Sequence, residues 1–115
     1  MDVRDLVTAL LRGETLTARQ WVQDSVREGF KWGEVSAPTG LSDREMVVAA
    51  ALTDLFADRA NVSRPGWTFN IGAAEGPIWL VRNDLPRFAD RVKGEVPEAL
   101  RSKRVFAPAN FLLFA

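Results

Sequence analysis

The sequence predicts a mainly helical α+β fold, with three helices, a β-hairpin, and a C-terminal helix followed by an apolar closing segment. Three observations support this class. Apolar residues recur at helical spacing through the first 60 residues, the pattern then changes to strict alternation, and the chain ends in a hydrophobic stretch. Because 115 residues can bury one substantial core, we expect a single globular domain over residues 1–115.

The first two helices are predicted from apolar stripes. The first stripe consists of Val3, Leu6, Val7, Leu10 and Leu11. It predicts a helix from about residue 2 to Arg12, and Gly13 ends that helix. Thr17 and Gln20 form a capping-box pattern that predicts the start of the second helix. One face of that helix carries Ala18, Trp21, Val22, Val26 and Phe30.

The third helix is predicted to be central. A loop over residues 31–40 precedes it, and Ser42 with Glu45 forms a second capping box. The helix predicted over residues 42–60 is apolar on almost every side between Met46 and Leu52. A helix that is apolar on every side must be covered on every side, so we expect the other elements to pack on it.

The second half of the chain predicts a hairpin and a further helix. Trp67, Phe69 and Ile71 alternate with polar residues or glycine, and a short link leads to a second apolar run at 77–81. Asp84 is placed to cap a helix that Gly94 ends, and Pro97 opens a last short helical turn.

The C-terminal stretch, residues 105–115, contains one polar side chain, that of Asn110. Burying its large apolar side chains is worth roughly 10 kcal/mol in gross transfer free energy, comparable to the net stability of a typical domain. Something must therefore cover the stretch. It either closes the protein's own core or docks on a partner, and the sequence leaves both alternatives open.

The composition excludes several chemistries. The chain has no His, Cys or Tyr, which removes the commonest general base, the thiol nucleophile and most zinc, copper and haem ligands. An enzyme would depend on carboxylates such as Glu34, Glu45 or Glu75. We predict no catalytic site and no cofactor.

Metal and phosphate sites are also not predicted. Asp54 and Asp58 stand four residues apart on the third helix and could share a hard cation. Such a pair is more commonly a solvated or Arg-paired surface, here with Arg59 beside it. The glycine-containing segment 72–76 lacks the order of a phosphate-binding loop and is predicted to be a hairpin turn.

Charge and hydropathy bear on whether the protein meets nucleic acids or membranes, and on its cellular compartment. Fifteen basic residues balance fifteen acidic ones, so no strong field attracts phosphates. No apolar run approaches the roughly 20 residues that span a bilayer, and the acidic N-terminus is unlike a signal peptide. We expect a cytoplasmic protein without membrane association. The preference for Arg over Lys and the abundance of Ala favour a bacterial source.

The leading functional hypothesis is a non-enzymatic protein-binding or regulatory module. An example is a small, antitoxin-like bacterial operon partner that neutralises or positions a larger protein, and its partner is another protein or a second copy of the chain. Aromatic residues outside the helical stripes are typical of interface hot spots, and the basic cluster beside the tail would complement acidic groups. The predicted partner-binding residues are Trp67, Trp79, Arg101, Lys103, Arg104, Phe111 and Phe114.

The alternative is a transcriptional regulator that binds DNA. Helix order suggests a winged helix, but the long loop before the third helix and that helix's net negative charge argue against it. A helix-turn-helix formed by the first two helices fits better, and its reading face would carry Arg19, Gln20, Gln23 and Arg27. Asp24 and Glu28 interrupt that face, so we rank nucleic acid below a protein partner. A carboxylate-dependent enzyme is the third hypothesis.

Overall fold

A computed structural model describes residues 2–113 and shows a mainly helical α+β fold built around one helix. In chain order the elements are α1 (Val3–Leu11), α2 (Thr15–Arg27), a 3-10 helix (Trp32–Glu34), α3 (Asp43–Arg59), a second 3-10 helix (Gly66–Asn70), β1 (Ile78–Trp79), α4 (Pro86–Glu95), α5 (Glu98–Arg101) and β2 (Val105–Phe106). Every residue from Val47 to Ala57 in α3 is buried. The prediction of a central third helix is therefore confirmed.

The predicted first helix is also confirmed. The Asp2 side chain caps α1 by accepting a hydrogen bond from the Arg4 backbone N–H at 2.9 Å. Four members of the predicted stripe are buried in the core, namely Val3, Leu6, Val7 and Leu10.

The start of α2 differs from the prediction. The helix begins at Thr15, two residues before the predicted cap Thr17, and the residue before it makes no side-chain cap. Gly13 adopts a φ of 75°, a left-handed conformation that suits glycine. This tight turn lets the helix start at once, so the Thr17 capping box does not form.

The predicted hairpin is wrong. Residues 66–70 form the second 3-10 helix, and β1 pairs in parallel with β2, with Ile78 opposite Val105 and Trp79 opposite Phe106. The alternation was misleading because Phe69 is 75 % exposed while Thr68 is buried. The Thr68 hydroxyl donates to the Pro65 carbonyl at 2.9 Å and closes this helical turn.

The segment between β1 and β2 forms a crossover that contains α4 and α5. Asp84 does not cap α4; two Arg82 N–H groups donate to its carboxylate at 2.8 Å each, and this contact lowers the pKa of Asp84 to about 2. Helix α4 continues past Gly94 to Glu95. The predicted short helix after Pro97 is confirmed as α5.

The C-terminal stretch closes the protein's own core as far as the structure describes it. Val105, Ala107, Phe111 and Leu112 are buried and belong to the same apolar cluster as α1 and α3. Leu113 is exposed, and Phe114 lies outside the described residues. In residues 2–113, no helix combines the length and the apolar character needed to cross a bilayer.

Candidate functional site

An open cleft of about 760 Å³ lies between the first turns of α3 and segment 70–78. Its apolar lining includes Met46, Val47, Ile71, Pro77 and Ile78. Polar side chains also line it, and they are those of Asp43, Arg44, Asn70 and Glu75. An apolar interior with a few polar groups at its edge is the usual composition of a binding site.

One wall of the cleft is fixed by the predicted Ser42 and Glu45 capping box, which is confirmed. The Glu45 N–H donates to the Ser42 hydroxyl at 3.2 Å, and the Ser42 N–H donates to the Glu45 carboxylate at 3.0 Å. Hydrogen bonds from Ser42 lower the pKa of Glu45. The first turn of α3 is therefore held in a defined conformation, and Asp43 and Arg44 extend from it.

The opposite wall is held by two basic residues of the turn before β2. The Lys103 ammonium group donates to the carbonyls of Thr68, at 2.9 Å, and Ile71. The Arg104 guanidinium donates to the Glu75 carbonyl at 2.9 Å. The Lys103 carbonyl in turn accepts from the Ala74 N–H at 3.0 Å. These bonds connect segment 68–75 to the turn and make the cleft rim ordered before any ligand arrives.

Gly72 and Gly76, on this rim, are not required by the fold. Neither has a left-handed φ, and a Cβ atom at either position would meet nothing within 4 Å. Gly33 differs, since a Cβ there would lie 2.9 Å from the Ser63 carbonyl oxygen. Glycine at positions 72 and 76 leaves space beside the main chain, which permits another chain to approach closely.

The main chain of this rim also offers unpaired donors. Within residues 2–113, no hydrogen bond engages the backbone N–H groups of Gly72, Ala73, Glu75 or Gly76. All four residues are exposed. The rim therefore presents polar groups that a ligand or water can satisfy.

A second polar cluster surrounds Arg64. Its guanidinium lies 2.7 Å from Asp58, 2.9 Å from Glu98 and 3.8 Å from Asp54. Desolvation raises the pKa of the buried Asp54, against the opposing effects of Thr68 and Arg64. One Asp54 oxygen, Oδ1, has no hydrogen-bond partner in the described residues. Arg64 thus connects α3 to α5, so the cluster stabilises the fold.

This cluster corrects the sequence interpretation of the two aspartates. The arginine that pairs with them is Arg64, not the adjacent Arg59. Arg59 instead donates to the carbonyls of Phe111, at 2.7 Å, and Ala109, at 3.0 Å. In the described residues, no group of three or more carboxylates is arranged to hold a metal ion.

The predicted partner-binding residues that the structure describes are not all accessible to a partner. The Trp67 indole N–H donates to the Val35 carbonyl at 2.8 Å, Trp79 stacks on Phe106 with ring centroids 5.0 Å apart, and Phe111 is buried. Arg101 is exposed on α5. Phe114 lies outside the described residues. Lys103 and Arg104 come together, and they support the rim of the cleft.

The residues predicted for DNA binding lie on the surface of α2, and those predicted for an enzyme are spread over three different parts of the chain. Arg19, Gln20, Gln23 and Arg27 are exposed on α2, and the Gln20 amide donates to the Asp24 carboxylate at 2.9 Å. Arg27 lies 3.4 Å from the same carboxylate. Of the three candidate carboxylates for an enzyme, Glu45 serves the helix cap, Glu34 lies 4.0 Å from Lys31, and Glu75 lines the cleft.

Sequence reasoning missed the cleft because its walls are distant in sequence. The glycines at positions 72 and 76 are the available signal in the sequence, but their spacing there predicts a hairpin turn. No family model, no curated protein and no solved structure matched this chain when it was compared with known proteins.

Proposed function

We propose that this protein is a non-enzymatic protein-binding module and that the cleft between α3 and segment 70–78 receives its partner. One observation supports this most strongly. The cleft rim is held by Lys103 and Arg104, yet it carries two glycines that the fold does not require. An ordered rim lowers the conformational entropy that binding costs, and the glycines allow a partner's main chain to come close.

The chemistry of the cleft is suited to recognition. Met46 is partly exposed on the floor of the cleft, beside the buried Val47 and Ile78, and burying apolar surface is the main driving force of protein association. Polar groups at the edge provide orientation and specificity. DNA binding through α2 has no comparable support, because the Asp24 carboxylate already pairs with Gln20 and Arg27, two residues of the predicted DNA-reading face.

Site-specific photo-crosslinking in cells of the source organism tests the proposal. A photoreactive amino acid replaces the exposed Ala73 on the rim, and the matched control replaces Lys93, which is exposed on α4. We expect a discrete protein adduct from position 73 only. Gly76→Trp should abolish that adduct by filling the mouth of the cleft, because nothing in the fold obstructs a side chain there.

Two results would contradict the proposal. One is the absence of a discrete protein adduct from position 73. The other is an adduct that persists unchanged in Gly76→Trp while this variant remains folded by circular dichroism. Crosslinking of the α2 face to nucleic acid would favour the DNA-binding alternative instead.

A further inference from the structure

We infer that a cavity beside Arg59, separate from the cleft, binds a small carboxylate whose apolar body is about the size of one ring. The cavity has a volume of about 260 Å³ and lies between the C-terminal half of α2, the last turn of α3 and residues 112–113. The inference goes beyond the proposed function, because no described residue that lines this cavity also lines the cleft.

The lining of the cavity is mostly apolar and partly aromatic. Its buried apolar members are Val22, Trp32, Phe56 and Leu112. Trp32 stacks on Phe56 with ring centroids 4.7 Å apart. Val26 and Leu113 also line the cavity, and they are 63 % and 58 % exposed. An apolar ligand can therefore reach the buried rings from solvent.

Arg59 provides the charge that selects an anion. It is the only charged side chain among the described residues of the lining. Its side chain is partly buried, and no carboxylate of residues 2–113 lies within ion-pair distance of it. Arg64, by contrast, contacts Asp58 and Glu98. Because charges removed from water are normally paired with opposite charges, Arg59 is suited to receive an anionic group.

The Arg59 guanidinium is also held in place before a ligand arrives. Two of its N–H groups donate to the carbonyls of Phe111 and Ala109, and it lies 5.5 Å from the centroid of the Phe56 ring. A guanidinium has five N–H donors, so the remaining three have no partner within residues 2–113. Burial lowers the pKa of Arg59, yet a guanidinium stays protonated at neutral pH. A carboxylate can accept from the remaining donors in a charge-assisted hydrogen bond.

The volume limits the apolar body of the ligand. A cavity of about 150 Å³ is enough for a benzene ring, and sites for drug-sized ligands begin at about 300 Å³. A volume of about 260 Å³ thus suits one ring with a short carboxylate arm. The adjacent end of α2 does not offset the charge of Arg59, because Arg27 and Glu28 have opposite signs and neither lines the cavity.

The test is a calorimetric titration of the full chain with phenylacetate, and phenylacetamide is the matched uncharged ligand. We expect saturable binding of phenylacetate with a Kd at or below about 1 mM. The amide should bind about tenfold more weakly or worse, because it lacks the charge that Arg59 recognises. Phenylacetate should also shift the indole N–H NMR signal of Trp32, which lines the cavity.

Two substitutions of the exposed Val26 test the charge of the site without disturbing the core. Val26→Glu places a carboxylate beside the opening and should weaken phenylacetate binding about tenfold or more, whereas Val26→Lys should not weaken it. Leu16→Glu is the matched control, because Leu16 is 81 % exposed on the same helix and does not line the cavity. Circular dichroism checks that all three variants are folded.

The inference is wrong if phenylacetate does not bind saturably, if phenylacetamide binds as tightly, or if Val26→Glu and Leu16→Glu have equal effects. Phenylacetate binding that appears only after deletion of residues 114–115 would assign the cavity to the chain's own end. A dimer that Val26→Glu dissociates would assign it to a second copy. Either result would overturn the inference, and neither affects the crosslinking expected from position 73.

Discussion

Replacing Phe111 with alanine tests whether the C-terminal stretch is part of the core. Phe111 is 9 % exposed and belongs to the main apolar cluster. Removing a buried phenylalanine ring costs about 3–5 kcal/mol, because both the transfer free energy and the packing around the ring are lost. That is a large part of the roughly 5–15 kcal/mol by which a typical domain is stable. For a chain of this size, the loss corresponds to a decrease in Tm of roughly 12–20 °C.

The measurement is urea-induced unfolding, followed by far-UV circular dichroism and by the fluorescence of the tryptophans, with Trp32 buried in the same cluster. Leu113→Ala is the matched control, because Leu113 is 58 % exposed and is two residues away in sequence. It should change the free energy of unfolding by no more than about 0.5 kcal/mol.

Equal stabilities of Phe111→Ala and the unchanged protein would refute the reasoning. The stretch would then contribute little to the core, and its apolar side chains would become candidates for a partner interface. A Phe111→Ala chain that is unfolded at 25 °C would agree with the expected loss if the unchanged protein lies at the low end of the stability range.

Three further outcomes are expected. The pKa of Asp54 is raised in the folded protein, so the free energy of unfolding falls as the pH rises through that pKa. Asp54→Asn removes this titration and should flatten the pH dependence of stability. Urea unfolding of both proteins at a series of pH values from acidic to neutral checks this. Lys103→Met should destabilise the fold by about 1–3 kcal/mol, because the carbonyls of Thr68 and Ile71 lose their donor. The control Arg101→Met changes an exposed residue and should have little effect on thermal unfolding. Similar Tm values for the two variants would contradict this prediction. The protein should not bind duplex DNA at sub-micromolar Kd in anisotropy titrations, because its charges balance, and tight binding with a steep salt dependence would promote the α2 residues to contacts.

The sequence by itself determined the elements whose stabilisation is local. The α1 stripe, the Ser42 and Glu45 capping box and the apolar circumference of α3 are each written in residues a few positions apart. Helical periodicity and capping depend on such short-range relations. These features predicted α1 and α3 and identified the central helix correctly.

Tertiary structure decided the rest. Trp67 donates to the distant Val35 carbonyl, and β1 pairs with β2 across a crossover of two helices. Neither relation leaves a local signal, so a short alternating run was interpreted as a hairpin strand. The same reason applies to the candidate site: Lys103 and Arg104 act on segment 68–75 from about thirty residues away. Hydrogen bonds between parts of the chain that are distant in sequence appear only when the fold brings those parts together.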